Sequence, residues 1–130
     1  MEREQLLIDT SVLIDHLRKR QKDQTRFYRA TFQHECLISA ITEFEFRVGI
    51  TQKNRQFIED ILRDIPVLPF DSGCVNVVSD IYQDLKKRNQ LISLPDMFIA
   101  ATAIVHHVPL LTFNQTHFER ITRLKLSGFL

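Results

Sequence analysis

Several acids and one amide stand where short apolar runs end or helical stretches begin, and that placement defines what chemistry the chain could do. Asp9 directly follows Gln5-Leu6-Leu7-Ile8, and Thr42, Glu43 and Glu45 come shortly after Cys36-Leu37-Ile38-Ser39. Asp96 opens an apolar helical stretch beside Pro95, and Thr112 and Asn114 end the run that starts at Pro109-Leu110-Leu111. In open parallel sheets, functional residues gather just beyond the carboxyl ends of the strands. If these runs are strands, their acids converge on one rim from distant parts of the chain. Carboxylates gathered this way repel one another unless a cation sits among them. An oxygen-rich, sulfur-free, imidazole-poor site suits a hard ion, Mg²⁺ or Mn²⁺. Such an ion activates water and stabilises the charge of a phosphodiester transition state, so the candidate chemistry is metal-assisted hydrolysis of a nucleic-acid backbone.

Each of these residues also has a structural reading. Asp9 and Asp96 fit helix caps or first-turn acids favoured by the helix dipole. Thr42-Glu43-Phe44-Glu45 fits a capping box, with Thr42 at the N-cap and Glu45 at the third helical position. Spacing alone does not separate the two roles.

The elements that must position these residues follow from the hydrophobic pattern. Short apolar runs alternate with stretches of helical period, the signature of an α/β domain with a mainly parallel sheet of four to five short strands. Strands are expected at 5–8 and 36–39, at the sheet edge at 67–70, at 109–112, and last at Leu124-Lys125-Leu126. Helical patterns lie between them. One carries Val12, Leu13, Ile14 and Leu17; a second carries Phe27, Tyr28 and Phe32; a third opens at Thr42 and runs through Val48. A fourth carries Phe57, Ile58, Ile61 and Leu62 and is stopped by Pro66, which cannot continue the hydrogen-bond ladder. Asp71 or Ser72 caps a fifth, with Val75, Val78, Ile81 and Leu85 on one side, and a sixth runs from Pro95-Asp96 to His106-His107. Three glycines leave neither a GxGxxG pattern nor a P-loop, which removes support for common nucleotide folds.

At 130 residues the chain suits one domain spanning 1–130, and 44% hydrophobic with 25% charged residues is ordinary globular composition. Its formal charge of +1, from 17 basic and 16 acidic side chains, excludes holding nucleic acid by bulk charge. No apolar run is long enough to span a bilayer, and Met1-Glu2-Arg3-Glu4-Gln5 lacks the order of a signal peptide. A cytoplasmic protein without membrane contact is the expectation. Cys36 and Cys74 have no partner at zinc-finger spacing and read as core residues.

Four segments, in order along nearly the whole chain, resemble the motifs of PIN-domain ribonucleases, especially the VapC toxins of toxin–antitoxin pairs. Leu7-Ile8-Asp9-Thr10-Ser11-Val12-Leu13-Ile14 is similar to the first, and Ile38-Ser39-Ala40-Ile41-Thr42-Glu43-Phe44-Glu45-Phe46-Arg47-Val48-Gly49 to the second. Asp96-Met97-Phe98-Ile99-Ala100-Ala101-Thr102-Ala103 resembles the third, and Leu110-Leu111-Thr112-Phe113-Asn114-Gln115-Thr116-His117-Phe118 the fourth. The resemblance implies a three-layer α/β/α PIN-like fold and an endoribonuclease dependent on Mg²⁺ or Mn²⁺. It selects Glu45 over Glu43 and implies that Asp9, Glu45 and Asp96 are the catalytic, metal-holding trio, with Thr10, Ser11 and Thr112 in support. Where the family often carries an aspartate near its fourth motif, this chain has Asn114 and His117. Asn114 remains a candidate ligand through its carbonyl oxygen, and a second metal ion has less charge to hold it.

For partners, the resemblance implies structured RNA such as tRNA or ribosomal RNA, a homodimer, and a groove for the C-terminal segment of a VapB-type antitoxin. The aromatic residues Phe27, Tyr28, Phe32, Phe44 and Phe46 crowd the first two motifs, where a groove would draw on them. From His16 to Arg29 six basic residues, Arg18, Lys19, Arg20, Lys22, Arg26 and Arg29, face one acid, Asp23. With Lys86 and Lys87 these are the candidate RNA contacts, and solvated helix faces are their structural alternative. Phosphoryl transfer on an aspartate fits less well. Haloacid-dehalogenase-like enzymes want a second aspartate at the position of Ser11, and receiver domains want a lysine that the segment 109–114 lacks. A PIN-like module that only binds RNA or protein is the non-enzyme alternative.

Overall fold

A computed structural model describes residues 2–129, and its centre is a parallel sheet of four strands. These are β1 (Glu4–Ile8), β2 (His34–Ser39), β3 (Val67–Leu68) and β4 (Leu110–Leu111), in the order β3-β2-β1-β4. Seven α-helices connect and flank them among the described residues: α1 (Thr10–Arg18), α2 (Arg26–Gln33), α3 (Ala40–Val48), α4 (Arg55–Asp64), α5 (Ser72–Lys87), α6 (Leu94–Val105) and α7 (Gln115–Phe118). The layers follow from the period-two alternation of side chains along a strand. Leu7, Leu37 and Leu110 face one way and bury against α5 and α6 with Phe118 of α7. Leu6, Ile8, Ile38 and Leu111 face the other way, against α1, α2, α4 and Phe46 of α3. Because both faces are covered, the inner part of β1 reads Leu6-Leu7-Ile8 without alternation, each at most 1% exposed, and only its outer residues Glu4 and Gln5 are polar.

The register places the functional residues. Leu7 pairs with Leu37 on one side and Leu110 on the other. Two residues further on, that register sets Ser39, Asp9 and Thr112 side by side across the carboxyl edge. The chain runs from β1 through β2 to β3 on one side and returns to the other side for β4. The carboxyl ends of β1 and β4 therefore flank the switch point, where such sheets bind ligands.

Three expectations are corrected. The third helix opens at Ala40, directly after β2, and its cap is Ser39, whose hydroxyl accepts the Thr42 N–H at 3.0 Å. Thr42 is thus inside the helix, and no Thr42–Glu45 capping box forms. The strand at Leu124-Lys125-Leu126 shrinks to one bridge between Leu110 and Leu126, because β4 offers only two residues to pair with. The strand expected at 67–70 keeps only Val67 and Leu68, the two residues that pair with Ile38 and Ser39.

The sixth helix starts at Leu94 under a Ser93 cap, with Pro95 in the first turn where its missing N–H costs nothing. It ends in a Schellman turn: Val108 N–H donates to Ala103, His107 N–H to Ile104, and His107 sits at φ 55°. Asp71 caps α5 through the Cys74 N–H. Cys74 is buried as expected, whereas Cys36 is only half-buried on β2. Among the described residues, no helix is long and apolar enough to cross a membrane.

Candidate active site

Asp9 is 2% exposed, and β1 delivers it straight onto the N-terminus of α1 with no loop between. It occupies the cap position, but its side chain makes no capping bond. Instead, Oδ2 accepts two hydroxyls, from Ser11 at 2.7 Å and from Thr112 at 2.7 Å. Thr112 in turn accepts the Asn114 N–H, which fixes the chain after β4 to the same carboxylate. Oδ1 has no donor among the described residues. The capping reading of Asp9 gives way to a clamped carboxylate with one oxygen left over.

Glu45 is reached by a line of hydroxyls. Thr10 Oγ1 lies 2.7 Å from Glu45 Oε1 and 3.0 Å from Thr42 Oγ1, and Ser39 Oγ lies 3.2 Å from Thr42 Oγ1. A hydroxyl has one proton, and the carboxylate can only accept. Thr10 therefore donates to Glu45, Thr42 donates to Thr10, and Ser39 donates to Thr42. Ser39, Thr10 and Thr42 are all buried, so the line is rigid. Glu43 points elsewhere and pairs with Arg47 one turn on, at 3.6 Å. The helix period thus separates the two glutamates that spacing left together. Ser39, which spacing does not single out, takes the capping role that spacing gives Thr42, and Thr42 instead passes the line of hydroxyls on to Thr10. The signal for both was the string Ser39-Ala-Ile-Thr42-Glu-Phe-Glu45 itself, read one turn too late.

Asp96 lies in the first turn of α6, half-buried, with Ser93 beside it. Burial raises its pKa above the ordinary aspartate value, and the Asp9 and Glu45 carboxylates push it further the same way. Ser93 and the imidazole of His117 work in the opposite direction. Asp9 at the start of α1, Asp96 in the first turn of α6 and Glu45 in the second turn of α3 thus share one electrostatic neighbourhood. Asn114 and His117 are both exposed at this rim, and the Asn114 side chain caps nothing.

The residues suit a hard, partly hydrated cation. Among the described residues, no three His, Cys, Asp or Glu side chains stand close enough to enclose an ion. Mg²⁺ keeps several waters and takes only one or two carboxylates directly, so it tolerates that spacing, whereas a closed zinc site would not. The repulsion felt at Asp96 from Asp9 and Glu45 is what a cation would cancel.

The basic run divides in space. Helix α1 begins at the rim with Thr10 and carries Arg18 about 12 Å down its axis at 1.5 Å per residue, to the opposite end. Lys19 pairs with Asp15, and Lys22 donates to the Leu17 and Lys19 carbonyls, closing the turn after α1. Arg20 is exposed. Lys86 and Lys87 are exposed at the last turn of α5, which a short loop joins to the Asp96 end of α6.

A prominent concavity elsewhere on the molecule contains none of the three carboxylates. It is a cleft of about 700 Å³ between α2, α4 and β2, lined by Phe27, His34, Cys36, Phe57, Ile61 and Ile65 among others. Phe27 and Phe46 are core residues, while Tyr28, Phe32 and Phe44 are exposed.

Residues 6–124 match the family model of the PIN domain. The chain is 36% identical over 126 residues to ribonuclease VapC1 of Methanocaldococcus jannaschii, covering 96% of this chain and 87% of that protein. It is 34% identical to ribonuclease VapC1 of Rickettsia felis, covering 93% of each. Among solved structures, DNA-bound VapBC from Salmonella typhimurium shares the fold with a TM-score of 0.82 at 23% identity over the full length of both chains. A toxin–antitoxin complex from Klebsiella pneumoniae superposes with a TM-score of 0.73 at 26% identity, covering 92% of this chain and 94% of that one.

Proposed function

The chain belongs to the PIN-domain family, in its VapC ribonuclease branch, and on that premise we propose that it is a Mg²⁺- or Mn²⁺-dependent endoribonuclease, the toxin of a VapBC-type pair. The observation that carries this reading is the fixing of Asp9 by Ser11 and Thr112 and of Glu45 by Thr10 at the carboxyl end of β1, with Asp96 near enough to feel both carboxylates. These three would hold the ion, in part through its bound waters, with the carbonyl oxygen of Asn114 as a further donor at the rim. When bound, the ion supplies positive charge for a phosphate oxygen and lowers the pKa of a bound water.

The chain's own residues do the positioning. Ser11 and Thr112 fix Asp9 through Oδ2 and so keep Oδ1 aimed at one place. The Ser39–Thr42–Thr10 line does the same for Glu45. Asp96 must be ionised to take part, and burial, with the Asp9 and Glu45 carboxylates beside it, raises its pKa in the metal-free chain. Hydrolysis then adds water to phosphorus and breaks the bond to the 3′ oxygen, leaving a 3′ hydroxyl and a 5′ phosphate. The substrate on this reading is structured RNA, tRNA or ribosomal RNA, in the cytoplasm.

The antitoxin partner is supported by the VapBC complexes that share the fold and by the apolar cleft between α2 and α4. Exposed Phe44 and Val48 on α3 offer an apolar face to a second copy in a homodimer.

The test is incubation of purified chain with total tRNA and ribosomal RNA in Mg²⁺ or Mn²⁺, with and without EDTA. Metal-dependent cleavage should fall about 10³-fold or more in Asp9→Asn and Asp96→Asn, in line with several kcal/mol of lost transition-state stabilisation. Cleavage that persists in both variants overturns the assignment. RNA that is bound but never cut identifies a binding module instead.

A further inference from the structure

We propose that Phe113 and Arg26 form a nucleotide subsite beside the carboxylates, in which the Phe113 ring stacks a base of single-stranded RNA and Arg26 secures the ring from behind. This rests on the ribonuclease reading above. Phe113 directly follows Thr112, the residue that donates to Asp9, and its own N–H donates to Ser11 Oγ at 3.2 Å. Ser11 donates to Asp9, so the backbone under the ring is two hydrogen bonds from the site carboxylate. The ring nevertheless leaves the core and is 41% exposed.

Arg26, at the start of α2, explains how the ring is held. Its guanidinium carbon lies 4.7 Å from the Phe113 ring centroid, a cation–π contact. Its Nε is sealed from solvent without a hydrogen-bond partner, and the side chain makes no ion pair among the described residues. Arg47, Arg63 and Arg88 all pair with acids, so an arginine spent on a ring next to an acidic pocket stands apart from the other fixed arginines. One side of Phe113 is thereby covered by a cation, and the rest of the ring is open.

Single-stranded RNA is recognised largely by bases splayed onto aromatic side chains and by arginine near the backbone. A phosphate at the carboxylate pocket brings a neighbouring base within one nucleotide of Phe113. The remaining guanidinium N–H groups are donors suited to the adjoining phosphate.

The test uses a short fluorescein-labelled single-stranded oligoribonucleotide and anisotropy, in an Asp96→Asn background so that RNA is held but not cut. Phe113→Leu and Phe113→Ala should each weaken binding about tenfold, the worth of one base on an aromatic ring. Phe113→Trp should bind within about twofold of Phe113, since any aromatic face stacks a base. Placing an abasic nucleotide at one position should weaken binding to Phe113 protein and change nothing further in Phe113→Leu. In the active chain, Phe113→Leu should raise KM and leave kcat nearly unchanged, with an unaltered melting temperature.

If the parent chain binds and cleaves RNA and Phe113→Leu behaves identically, the subsite is overturned while the ribonuclease reading stands. If the parent neither binds nor cleaves any RNA, both fall. If Phe113→Leu leaves RNA untouched and weakens only the antitoxin complex, Phe113 is a protein contact and the nucleotide assignment is wrong.

Discussion

On the β1 side of the pocket, five hydroxyls fix two carboxylates: Ser11 and Thr112 on Asp9, and the line from Ser39 through Thr42 to Thr10 on Glu45. On the α6 side, Asp96 has Ser93 beside it, and the Asn114 and His117 side chains stand exposed. The first side is preorganised, and its geometry is settled when the chain folds. On the second, burial and the Asp9 and Glu45 charges outweigh the opposing effects of Ser93 and His117, so a cation there would relieve the most. On the proposed reading the contrast divides the work: one side would fix where an ion sits, and the other would respond most to its arrival.

The largest effect that could break this contrast comes from the hydroxyls. Thr10→Val keeps the shape and removes the proton given to Glu45, and Thr112→Val does the same at Asp9. Each should lower cleavage about 10- to 100-fold, as loss of groups that orient metal ligands does. Asn114→Ala and His117→Ala should cost clearly less in the same RNA cleavage assay. Equal losses on the two sides would mean that no preorganised half exists.

A smaller effect sharpens it. The folded-state pKa of Asp96 is raised, so the folded chain binds its proton more tightly than the unfolded chain does. Stability on this account is highest in acid and falls as pH rises past about 4, the unfolded value, because ionisation then costs the folded state. Asp96→Asn should therefore stabilise the metal-free chain at neutral pH by up to about 1 kcal/mol, a figure reduced for the solvent screening of a half-exposed group. Thermal melts in EDTA would show the gain, and adding Mg²⁺ should stabilise the parent chain but not the variant. A variant that melts lower than the parent in EDTA would show that Asp96 is not under repulsion.

The smallest effect lies at the foot of the preorganised side. His16 on α1 is 6% exposed, packed edge-on against Phe27, with Nδ1 2.6 Å from Thr25 Oγ1. Burial, and then the Lys22 charge, lower its pKa. Its contribution is present above the unfolded value, near 6.5, and is lost as pH falls from there toward the folded value. Chemical denaturation at about pH 7.5 and about pH 5.5 should differ by roughly 1 kcal/mol or less, and His16→Gln should remove that part of the difference. An unchanged difference in His16→Gln would place the titration elsewhere.

How much of this was legible depends on how far apart the cooperating residues lie. Asp9 announced itself because an apolar run stops at an acid, and the alternation of Leu6, Leu7 and Ile8 carries its own record of a sheet covered on both faces. Ser39 is the last residue of the strand, as its apolar run implies, but its second role as the cap of α3 is hidden because strand and helix meet there without a loop. With Ser39 counted to the strand, the next hydroxyl residue, Thr42, looks like the cap. Glu43 and Glu45 are two residues apart, and only the helical turn that pairs Glu43 with Arg47 separates them. The Thr112–Asp9 bond joins positions 103 apart, which no local pattern encodes. The basic run was visible as composition, but its division between the far end of α1 and the rim at Arg26 required the turn that Lys22 closes. The strand expected at Leu124–Leu126 failed because its partner strand is only two residues long.

The bond from Thr112 to Asp9 also sets an order of assembly. Strand β1 emerges first from synthesis, yet it lies inside the sheet, between β2 and a strand made of residues 110 and 111. Contacts of such separation are closed late, since the entropy of the intervening loop opposes them until other structure has formed. Asp9 thus gains its last hydroxyl, and the pocket its second wall, only after more than a hundred residues have followed it. A chain that has not yet placed residues 110–112 therefore lacks both the hydroxyl that fixes Asp9 and the strand that covers the second edge of β1.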